Sequence, residues 1–382
     1  MLKRLTVILL LMILCACRTV PAKPADFSAV IISDLHLQTA EVSDNPYVPL
    51  SSLTKEVLNA VAAETIERHP DALILCGDNT NSGNVNDLKY LHDVLRKVKE
   101  SGTAVIQVPG NHDFNLSDRD TYDEYTNDLC EPDDRDTGSL SYMKIMGNMM
   151  ILAMDDSSYR SDNKGGFSLD TMTWLKNMLD QAEEEGLKVL FISHHNVLLT
   201  ETGDNYRINN PGLRNLLKRK HVRLCLSGHT HSQMIFEEDG MYEIVTGTIL
   251  GSIHPAGFLQ IKDDSVSYVM ERADFSSNPD LEEYASVKDE ESASQMYDVF
   301  MQIFRDKEYS QEDSEACAAL AMKYMDYYGK GQIGGHFEEI LNDPDYDKMI
   351  EGLKDANYGP WMESVLKNPP QRADRIRFEY KD

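Results

Sequence analysis

The sequence predicts an α/β fold followed by a small all-α region, and three observations support this prediction. Up to about residue 270, short apolar runs alternate with amphipathic helical patterns, as expected for strands that are buried on both faces. Three further pairs of apolar runs are joined by tight turns, so the sheet is mixed or two sheets pack together. Beyond about residue 278 the strand-like runs nearly vanish, and apolar residues recur at helical spacing.

The individual elements follow from these patterns. The strand-like runs end in Gly, Ser, Asp or Asn and cover residues 27–33, 72–76, 104–108, 188–193 and 222–227. Helical patterns cover residues 53–68, 88–99, 169–185 and 213–219. Hairpins are predicted within residues 142–154, 232–246 and 258–270. In the last region, one predicted helix ends at Gly329 and Gly331.

The N-terminus has the pattern of an export signal. Residues 1–17 combine a basic start with an apolar stretch that is too short to span a membrane. The stretch Leu14-Cys15-Ala16-Cys17 resembles a bacterial lipobox, with Cys17 as the lipidated first mature residue. Plain secretion after Ala16 is the alternative. Residues 18–26 contain two prolines and are predicted to form a tether.

Composition excludes some partners. The chain has 382 residues, of which 41% are hydrophobic, and its formal charge is −27. Proteins that bind nucleic-acid polymers neutralise phosphates with basic patches, so no such polymer is expected as a partner here. The four cysteines beyond the signal are too scattered for a disulfide framework and are interpreted as structural. The sequence gives no indication of the oligomeric state.

Metal-binding residue types follow five of the predicted strands. In open α/β sheets, sites form at the carboxyl ends of the strands, so these side chains are expected to converge although they are far apart in sequence. The motifs are Asp34-Leu35-His36, Gly77-Asp78, Gly110-Asn111-His112-Asp113, His194-His195-Asn196 and Gly228-His229-Thr230-His231.

The donor types indicate a site for first-row divalent metals. Carboxylate, amide oxygen and imidazole together suit such ions without a thiolate. Asp78 is the natural bridging ligand, because one carboxylate can hold two cations about 4 Å apart. Each motif alone is common at strand ends, where it serves only as a turn. All five motifs in this order, each after an apolar run, are specific for a metal site.

In these motifs the chain resembles the calcineurin-like metallophosphoesterases, whose order is D-x-H, G-D, G-N-H-D/E, H and G-H-x-H. The resemblance covers about residues 27–270 and implies a four-layer αββα sandwich that holds two divalent metals, Mn or Fe with Zn possible. It places Asp78 between the two metals. It assigns the remaining ligands to the first metal as Asp34, His36 and His231, and to the second metal as Asn111, His194 and His229.

The resemblance also implies further site residues. His112 is similar to the family's non-ligand histidine, which contacts the phosphate or protonates the leaving oxygen. Many relatives carry an acid that orients this histidine at the position of Asn81. We expect Asn81, Asp113 and His195 to support the ligands from behind.

Other polar residues lie in loops over the same face of the sheet. Tyr159, Tyr206 and Asn209 could stack on or hydrogen-bond a base, with ordinary loop packing as the alternative. His254 precedes a proline in a loop and could line the rim of the site.

More closely, the chain resembles the lipid-anchored bacterial class III cyclic-nucleotide phosphodiesterases, which share G-D-x-T-N, G-N-H-D and H-H-N and carry a C-terminal helical domain. This implies a catalytic domain over residues 27–275 and a helical domain over 276–382. It also implies an exported protein, anchored on the outer face of the bacterial cell membrane, that hydrolyses small phosphodiesters by attack of a metal-bridging hydroxide. The alternatives are a phosphomonoesterase, a diesterase for wall or lipid phosphates, or a non-catalytic scaffold, although such scaffolds lose ligands and none is missing here.

Overall fold

The computed structural model describes residues 26–42, 48–159, 164–198, 206–356, 358–367 and 372–380. The predicted signal with Cys17, and all of the tether except Asp26, lie outside these ranges. Within them, no helix combines the length and the apolar character that crossing a membrane requires.

Strands and helices alternate over most of the chain. The strands are β1 (Phe27–Ile32), β2 (Ala72–Leu75), β3 (Ala104–Gln107), β4 (Asp134–Arg135), β5 (Tyr142–Met146), β6 (Met149–Ala153), β7 (Lys188–Ile192), β8 (Leu224–Ser227), β9 (Met234–Glu238), β10 (Met241–Val245), β11 (Pro255–Lys262), β12 (Ser265–Arg272) and β13 (Arg375–Glu379). The helices are α1 (Thr54–Arg68), α2 (Val85–Glu100), α3 (Arg119–Cys130), α4 (Leu169–Glu185), α5 (Leu213–Arg219), α6 (Pro279–Asp306), α7 (Gln311–Gly329), α8 (Ile333–Leu341), α9 (Tyr346–Leu353) and α10 (Tyr358–Lys367). A short 3-10 helix spans His112–Phe114.

The strands form two mixed sheets. The first has the order β13-β12-β11-β1-β2-β3, and the second has the order β4-β5-β6-β7-β8-β10-β9. Strands β1, β2 and β3 are parallel, as are β6, β7, β8 and β10. Their carboxyl ends therefore supply neighbouring loops, which is the arrangement that favours a site.

Burial shows how the layers pack. Alternate residues of a strand point to opposite faces. Ile31 of β1 accordingly lies in the core between the sheets with Leu190 of β7. Its neighbour Ile32 lies in a second core with Val57 of α1, and Phe191 lies in a third core with Leu175 of α4. The predicted four-layer αββα sandwich is therefore confirmed.

The helical region follows the sandwich as predicted. Helix α6 begins after Asn278, whose side chain accepts a hydrogen bond from Leu281 N, with Pro279 in the first turn. Leu281 belongs to the outer core of the first sheet, so the start of α6 packs on the sandwich. Farther along, Phe304 of α6 and Tyr324 of α7 belong to a separate core of the helical region.

The end of the chain differs from the prediction of an all-α region. Strand β13 returns to the first sheet and pairs with β12 in antiparallel fashion. Its side chains alternate between exposed and partly buried, and Phe378 stacks on Tyr242 of the second sheet at 4.2 Å between ring centroids. This pairing, which is remote in sequence, holds the last strand in the first sheet. The predicted domain boundaries remain a prediction.

Candidate metal centre

The predicted metal ligands lie at one edge of the sandwich. Each of them directly follows a strand, and the strands concerned are the parallel ones of both sheets. In chain order they are Asp34 and His36 after β1, Asp78 after β2, Asn111 after β3, His194 after β7, and His229 and His231 after β8.

Four of these side chains form a first cluster: Asp34, His36, Asp78 and His231, whose donor atoms lie within 4.8 Å of one another. The Nε2 atoms of His36 and His231 are 3.1 Å apart, and His231 Nε2 is 3.3 Å from Asp34 Oδ1. His36 Nε2 is 3.7 Å from Asp78 Oδ2. Two ligands that are each ~2.1 Å from one metal lie about 3.0–3.4 Å apart, so this cluster has dimensions close to a metal site.

A second cluster joins Asp78, His194 and His229. His194 Nδ1 is 2.9 Å from the carbonyl oxygen of Cys76. A carbonyl only accepts, so Nδ1 carries the proton and Nε2 faces Asp78 Oδ2 at 3.4 Å. The same carboxylate oxygen of Asp78 therefore borders both clusters, which is the geometry that the predicted bridging role requires.

Candidate ligand atoms that lack a hydrogen-bond partner provide an independent test of whether metal ions fit the site. Asp34 Oδ1, Asn111 Oδ1 and His194 Nε2 are buried and make no hydrogen bond of acceptable geometry within the described residues. Leaving such a group unpaired costs about 1–3 kcal/mol, and native structures rarely concentrate several at one place. Cations at the two clusters would satisfy Asp34 Oδ1 and His194 Nε2, which belong to them, so the residues fit a metal pair.

The backbone at the site is strained. Five of the seven predicted ligands adopt the left-handed conformation, which costs a residue other than glycine of order 1–3 kcal/mol. Such strain persists only where the surrounding structure enforces it, and it concentrates at functional sites. The φ values are 52° for Asp34, 43° for His36, 48° for Asp78, 67° for His229 and 56° for His231.

Two glycines allow the ligand loops to approach one another. A Cβ atom at Gly77, where φ is 92°, would lie 2.4 Å from His194 Nδ1. A Cβ atom at Gly110 would lie 2.1 Å from Asp78 Oδ1. Both positions therefore require glycine because a side chain would overlap a candidate ligand.

Electrostatics divide the histidines into two groups. Burial lowers the pKa of His36 to about 4, although Asp78 opposes this, and burial likewise lowers the pKa of His229 to about 3. Burial also acts against charge on His194, but the Asp78 carboxylate outweighs it and raises the pKa of His194 to about 10. At neutral pH His36 and His229 of the metal-free site are thus neutral, and His194 is an imidazolium beside Asp78. Burial opposes charge on His231 too, but Asp34 outweighs it and raises the pKa of His231.

His112 packs against a histidine of the first cluster. Its ring is half-buried and packs edge-on against His36, with 4.6 Å between ring centroids. Its backbone N–H donates to Asp78 Oδ1 at 2.8 Å, which ties this loop to the shared carboxylate. Its Nδ1 is 3.0 Å from the backbone carbonyl of Asn81. The implied orienting contact from position 81 is thus made by the main chain and not by the side-chain amide.

Asp113 supports the loop from behind. It is fully buried, and its carboxylate accepts hydrogen bonds from the backbone N–H groups of Asn79, Thr80 and Gly110. Burial, reinforced by the charge on Asp78, raises the pKa of Asp113 to about 6. Its contacts bind the strand ends that carry Asp78 and Asn111 to each other.

His195 is buried beside the second cluster. Its ring centroid is 4.2 Å from that of His229, and its Nδ1 is 3.2 Å from Asp156 Oδ1. Its backbone N–H also donates to Asp156 Oδ2 at 2.8 Å. Sequence reasoning missed Asp156, although its position directly after the apolar run of β6 was an available signal.

A second missed residue supports the first cluster. Thr248 Oγ1 donates to the backbone carbonyl of Asp34 at 2.8 Å, and Ser33 Oγ donates to Asp34 Oδ2 at 2.6 Å. Both hydroxyls hold the strained turn that carries Asp34. The Thr246-Gly247-Thr248 turn after β10 was visible in the sequence, but nothing local linked it to β1.

Of the three predicted substrate residues in these loops, one contacts a candidate ligand and two are exposed away from the described contacts of the clusters. Tyr206 is 39% exposed, and its ring centroid is 5.4 Å from that of His229, so it borders the second cluster. Asn209 is exposed, and its backbone N–H donates to Gly165 at 2.9 Å. Tyr159 is 58% exposed and adjoins the undescribed residues 160–163.

His254 does not line the rim of the site, contrary to expectation. Its side chain is fully buried against Phe275, with Nε2 3.3 Å from Asp289 Oδ1 of α6. The turn before β11 directs it towards the helical region. A histidine enclosed in this way is not accessible to a bound substrate.

The model of one protein family matches more than half of the chain. It is described as calcineurin-like phosphoesterase and covers residues 27–233, from β1 through the loop of His229 and His231. The chain belongs to the calcineurin-like phosphoesterases. The match contains all seven predicted ligands of this phosphoesterase chain, and no curated protein sequence matches it at a significant level.

A solved structure shares the fold of this calcineurin-like phosphoesterase, and another is similar to a lesser degree. A dimetal phosphatase from Danio rerio is 15% identical with a TM-score of 0.53, and the match covers 66% of this chain and 97% of the other. A purple acid phosphatase from yellow lupin seeds is 11% identical with a TM-score of 0.47, and the match covers 66% of this chain and 52% of the other. At these identities the likeness concerns the fold, which does not determine the substrate.

Proposed function

We propose that this chain is a dinuclear-metal phosphodiesterase that acts on small phosphodiesters, with cyclic nucleotides as the first candidates. The main support is the Asp78 carboxylate, because its Oδ2 atom is 3.7 Å from His36 Nε2 in one cluster and 3.4 Å from His194 Nε2 in the other. Two cations that share one carboxylate form the clamp that in-line displacement at phosphorus uses.

The donor set suggests which ions bind. Carboxylate, amide and imidazole ligands suit Mn or Fe, with Zn as a further candidate. When bound, the pair supplies Lewis acidity for the phosphoryl oxygens and makes water acidic enough to serve as the nucleophile. The first ion would be held by Asp34, His36, Asp78 and His231, and the second by Asp78, Asn111, His194 and His229.

We assign the transfer of a proton to the leaving oxygen to His112. Because its Nδ1 donates to the Asn81 carbonyl, the only nitrogen that can face a substrate is Nε2. In the neutral ring Nε2 is an acceptor, so only the imidazolium form can donate. The contact between the His112 backbone and Asp78 holds this donor beside the shared carboxylate.

Two features favour a small substrate with a planar group. The formal charge of −27 opposes binding of a nucleic-acid polymer. Tyr206 offers a partly exposed ring next to His229, where a base or aryl group attached to the phosphate could stack.

A substrate panel tests this proposal. The metal-free chain reconstituted with Mn²⁺ should hydrolyse cyclic nucleotides and bis(4-nitrophenyl) phosphate faster than 4-nitrophenyl phosphate. The Asp78→Ala variant is the control for contaminating hydrolases and should be inactive on all three. Preference for the monoester would instead identify a phosphomonoesterase, and no activity on any ester would support a scaffold.

We also propose that the protein is exported and anchored by a lipid on Cys17. The support is the signal pattern of residues 1–17 and the lipobox-like stretch that ends in this cysteine. The Cys17→Ala variant should leave the membrane fraction of the producing bacterium while its specific activity stays unchanged. If the unaltered protein is already soluble in the medium, the signal is an ordinary secretory one.

A further inference from the structure

A buried glutamine adjoins the loop that carries His229 and His231. Gln233 is 4% exposed and directly precedes β9 of the second sheet. Its Nε2 donates to Tyr268 Oη at 3.1 Å and to the carbonyl of Ala373 at 3.0 Å. Tyr268 lies in β12 of the first sheet. One amide group therefore connects the ligand loop both to the other sheet and to the segment before β13.

That segment and the first residue of β13 together span residues 372–375, and the helical region holds them in place. Ala373 N donates to the carbonyl of Gly331 at 2.6 Å, in the turn between α7 and α8. Gln332 Nε2 from the same turn lies 3.4 Å from Asp374 Oδ2. A Cβ atom at Gly331, where φ is 64°, would lie 3.0 Å from Ala373, so the turn and the segment fit closely.

Ion pairs within the same segment also hold it in place. Asp374 is 2% exposed, and its carboxylate pairs with the guanidinium groups of Arg372 and Arg375. Its backbone carbonyl accepts a hydrogen bond from Met270 N of β12 at 2.7 Å. A buried, paired carboxylate holds its surroundings in one geometry, because breaking the pair would leave an unpaired buried charge.

We propose that the helical region supports the metal centre through residues 372–375, with Gln233 as the positioning residue for the loop of His229 and His231. Both histidines have strained backbone conformations, with φ values of 67° and 56°. Without the Gln233 contacts the loop gains other conformations, and metal binding then has to offset the entropy of ordering it. The helical region thereby preorganises ligands of both metals.

The inference depends on the metal centre and not on the substrate. Its test therefore uses Mn²⁺ alone with the full chain, so it can fail while the proposed hydrolysis of phosphodiesters holds, and the reverse. The variants are Gln233→Leu, Asp374→Ala and the double variant. The control is Gln107→Leu, which removes from β3 a buried amide, 2% exposed, that makes no side-chain hydrogen bond of acceptable geometry within the described residues.

Two readouts separate positioning from simple loss of stability. Gln233→Leu and Asp374→Ala should each weaken Mn²⁺ binding about tenfold or more by calorimetric titration, as outer contacts of metal ligands commonly do. In the metal-free variants, the peptide that covers residues 228–234 should exchange its amide hydrogens faster than in the unaltered chain. The double variant should bind Mn²⁺ with the same affinity as the single variant that binds it less tightly, because both changes interrupt one connection.

Other results would overturn the inference. If Gln233→Leu left Mn²⁺ affinity and amide exchange unchanged, Gln233 would contribute only ordinary packing. An equal loss of Mn²⁺ affinity in the Gln107→Leu control would lead to the same conclusion. If the two losses of Mn²⁺ affinity were additive in the double variant, the helical region and the ligand loop would act on metal binding independently. If Gln233→Leu does not fold, Asp374→Ala decides alone, since its change lies outside the ligand loop.

Discussion

At the scale of single residues, His112 separates proton delivery from metal binding. It is absent from both ligand clusters, and its Nδ1 is engaged by the Asn81 carbonyl. A ribose alkoxide needs a proton to leave, whereas a nitrophenolate does not. His112→Ala should therefore slow hydrolysis of a cyclic nucleotide by roughly 10²–10⁴-fold and that of bis(4-nitrophenyl) phosphate much less, measured as kcat with metal content unchanged.

Asn111→Ala is the companion variant for this comparison. Asn111 Oδ1 is a candidate ligand atom, so its loss should disturb the second metal and slow both substrates together. Equal slowing of the two substrates in His112→Ala would instead assign this histidine to binding the phosphoryl oxygens.

His194 links metal binding to pH. Asp78 raises its pKa to about 10 in the metal-free chain despite burial, while a ligand imidazole must be deprotonated. Binding at neutral pH should therefore release at least one proton, and affinity should rise about tenfold per pH unit for each proton released. Calorimetry of Mn²⁺ binding between pH 6 and 8 in buffers of different ionisation enthalpy measures both quantities. Affinity independent of pH would contradict the assignment.

Whether a site residue could be predicted from the sequence depends on whether it belongs to a local motif or acts through contacts that are remote in sequence. The ligands and His112 were found because their motifs directly follow apolar strands. Thr248 and Gln233 were missed because each contacts a segment that is remote in sequence, which leaves no local pattern. His254 was misplaced for the same reason, since its partner Asp289 lies in α6.

At the scale of elements, the loop after β7 depends on a buried carboxylate. Glu243 of β10 is fully buried and accepts hydrogen bonds from Val197 N at 2.7 Å, Leu198 N at 2.6 Å and Ser227 Oγ at 2.8 Å. Glu243→Ala should leave these donors unpaired and lower the free energy of unfolding by about 3 kcal/mol, measured with urea.

The control for this change lies on the neighbouring strand. Glu237 of β9 is exposed, and Glu237→Ala should change the free energy of unfolding by less than about 0.5 kcal/mol. Equal effects of the two variants would show that Glu243 does not anchor the loop.

The parallel strands were predictable because they are buried on both faces and read as continuous apolar runs. Strand β13 was missed because its pairing with β12 joins distant parts of the chain, although its alternation of charged and apolar residues is typical of a half-buried strand. The choice between one mixed sheet and two packed sheets also depended on such pairings. Among them is the parallel pairing of β8 with β10, which leaves the antiparallel β9 at the edge of the second sheet.

At the scale of the whole molecule, two packed sheets bring ligands from both halves of the sandwich to one edge. Asp34 and Asp78 come from the first sheet, while His194 and His231 come from the second. Each cluster contains ligands from both sheets, so metal binding should bridge the two sheets. Among the residues that the structure describes, Asp78 alone belongs to both clusters.

The number of metal ions per chain in Asp78→Ala tests the central claim most directly. The unaltered chain should carry close to two transition-metal ions by elemental analysis. Asp78→Ala should carry close to none, because both ions depend on that carboxylate, while His112→Ala should keep both. Full occupancy of the Asp78→Ala variant would contradict the shared, dinuclear centre.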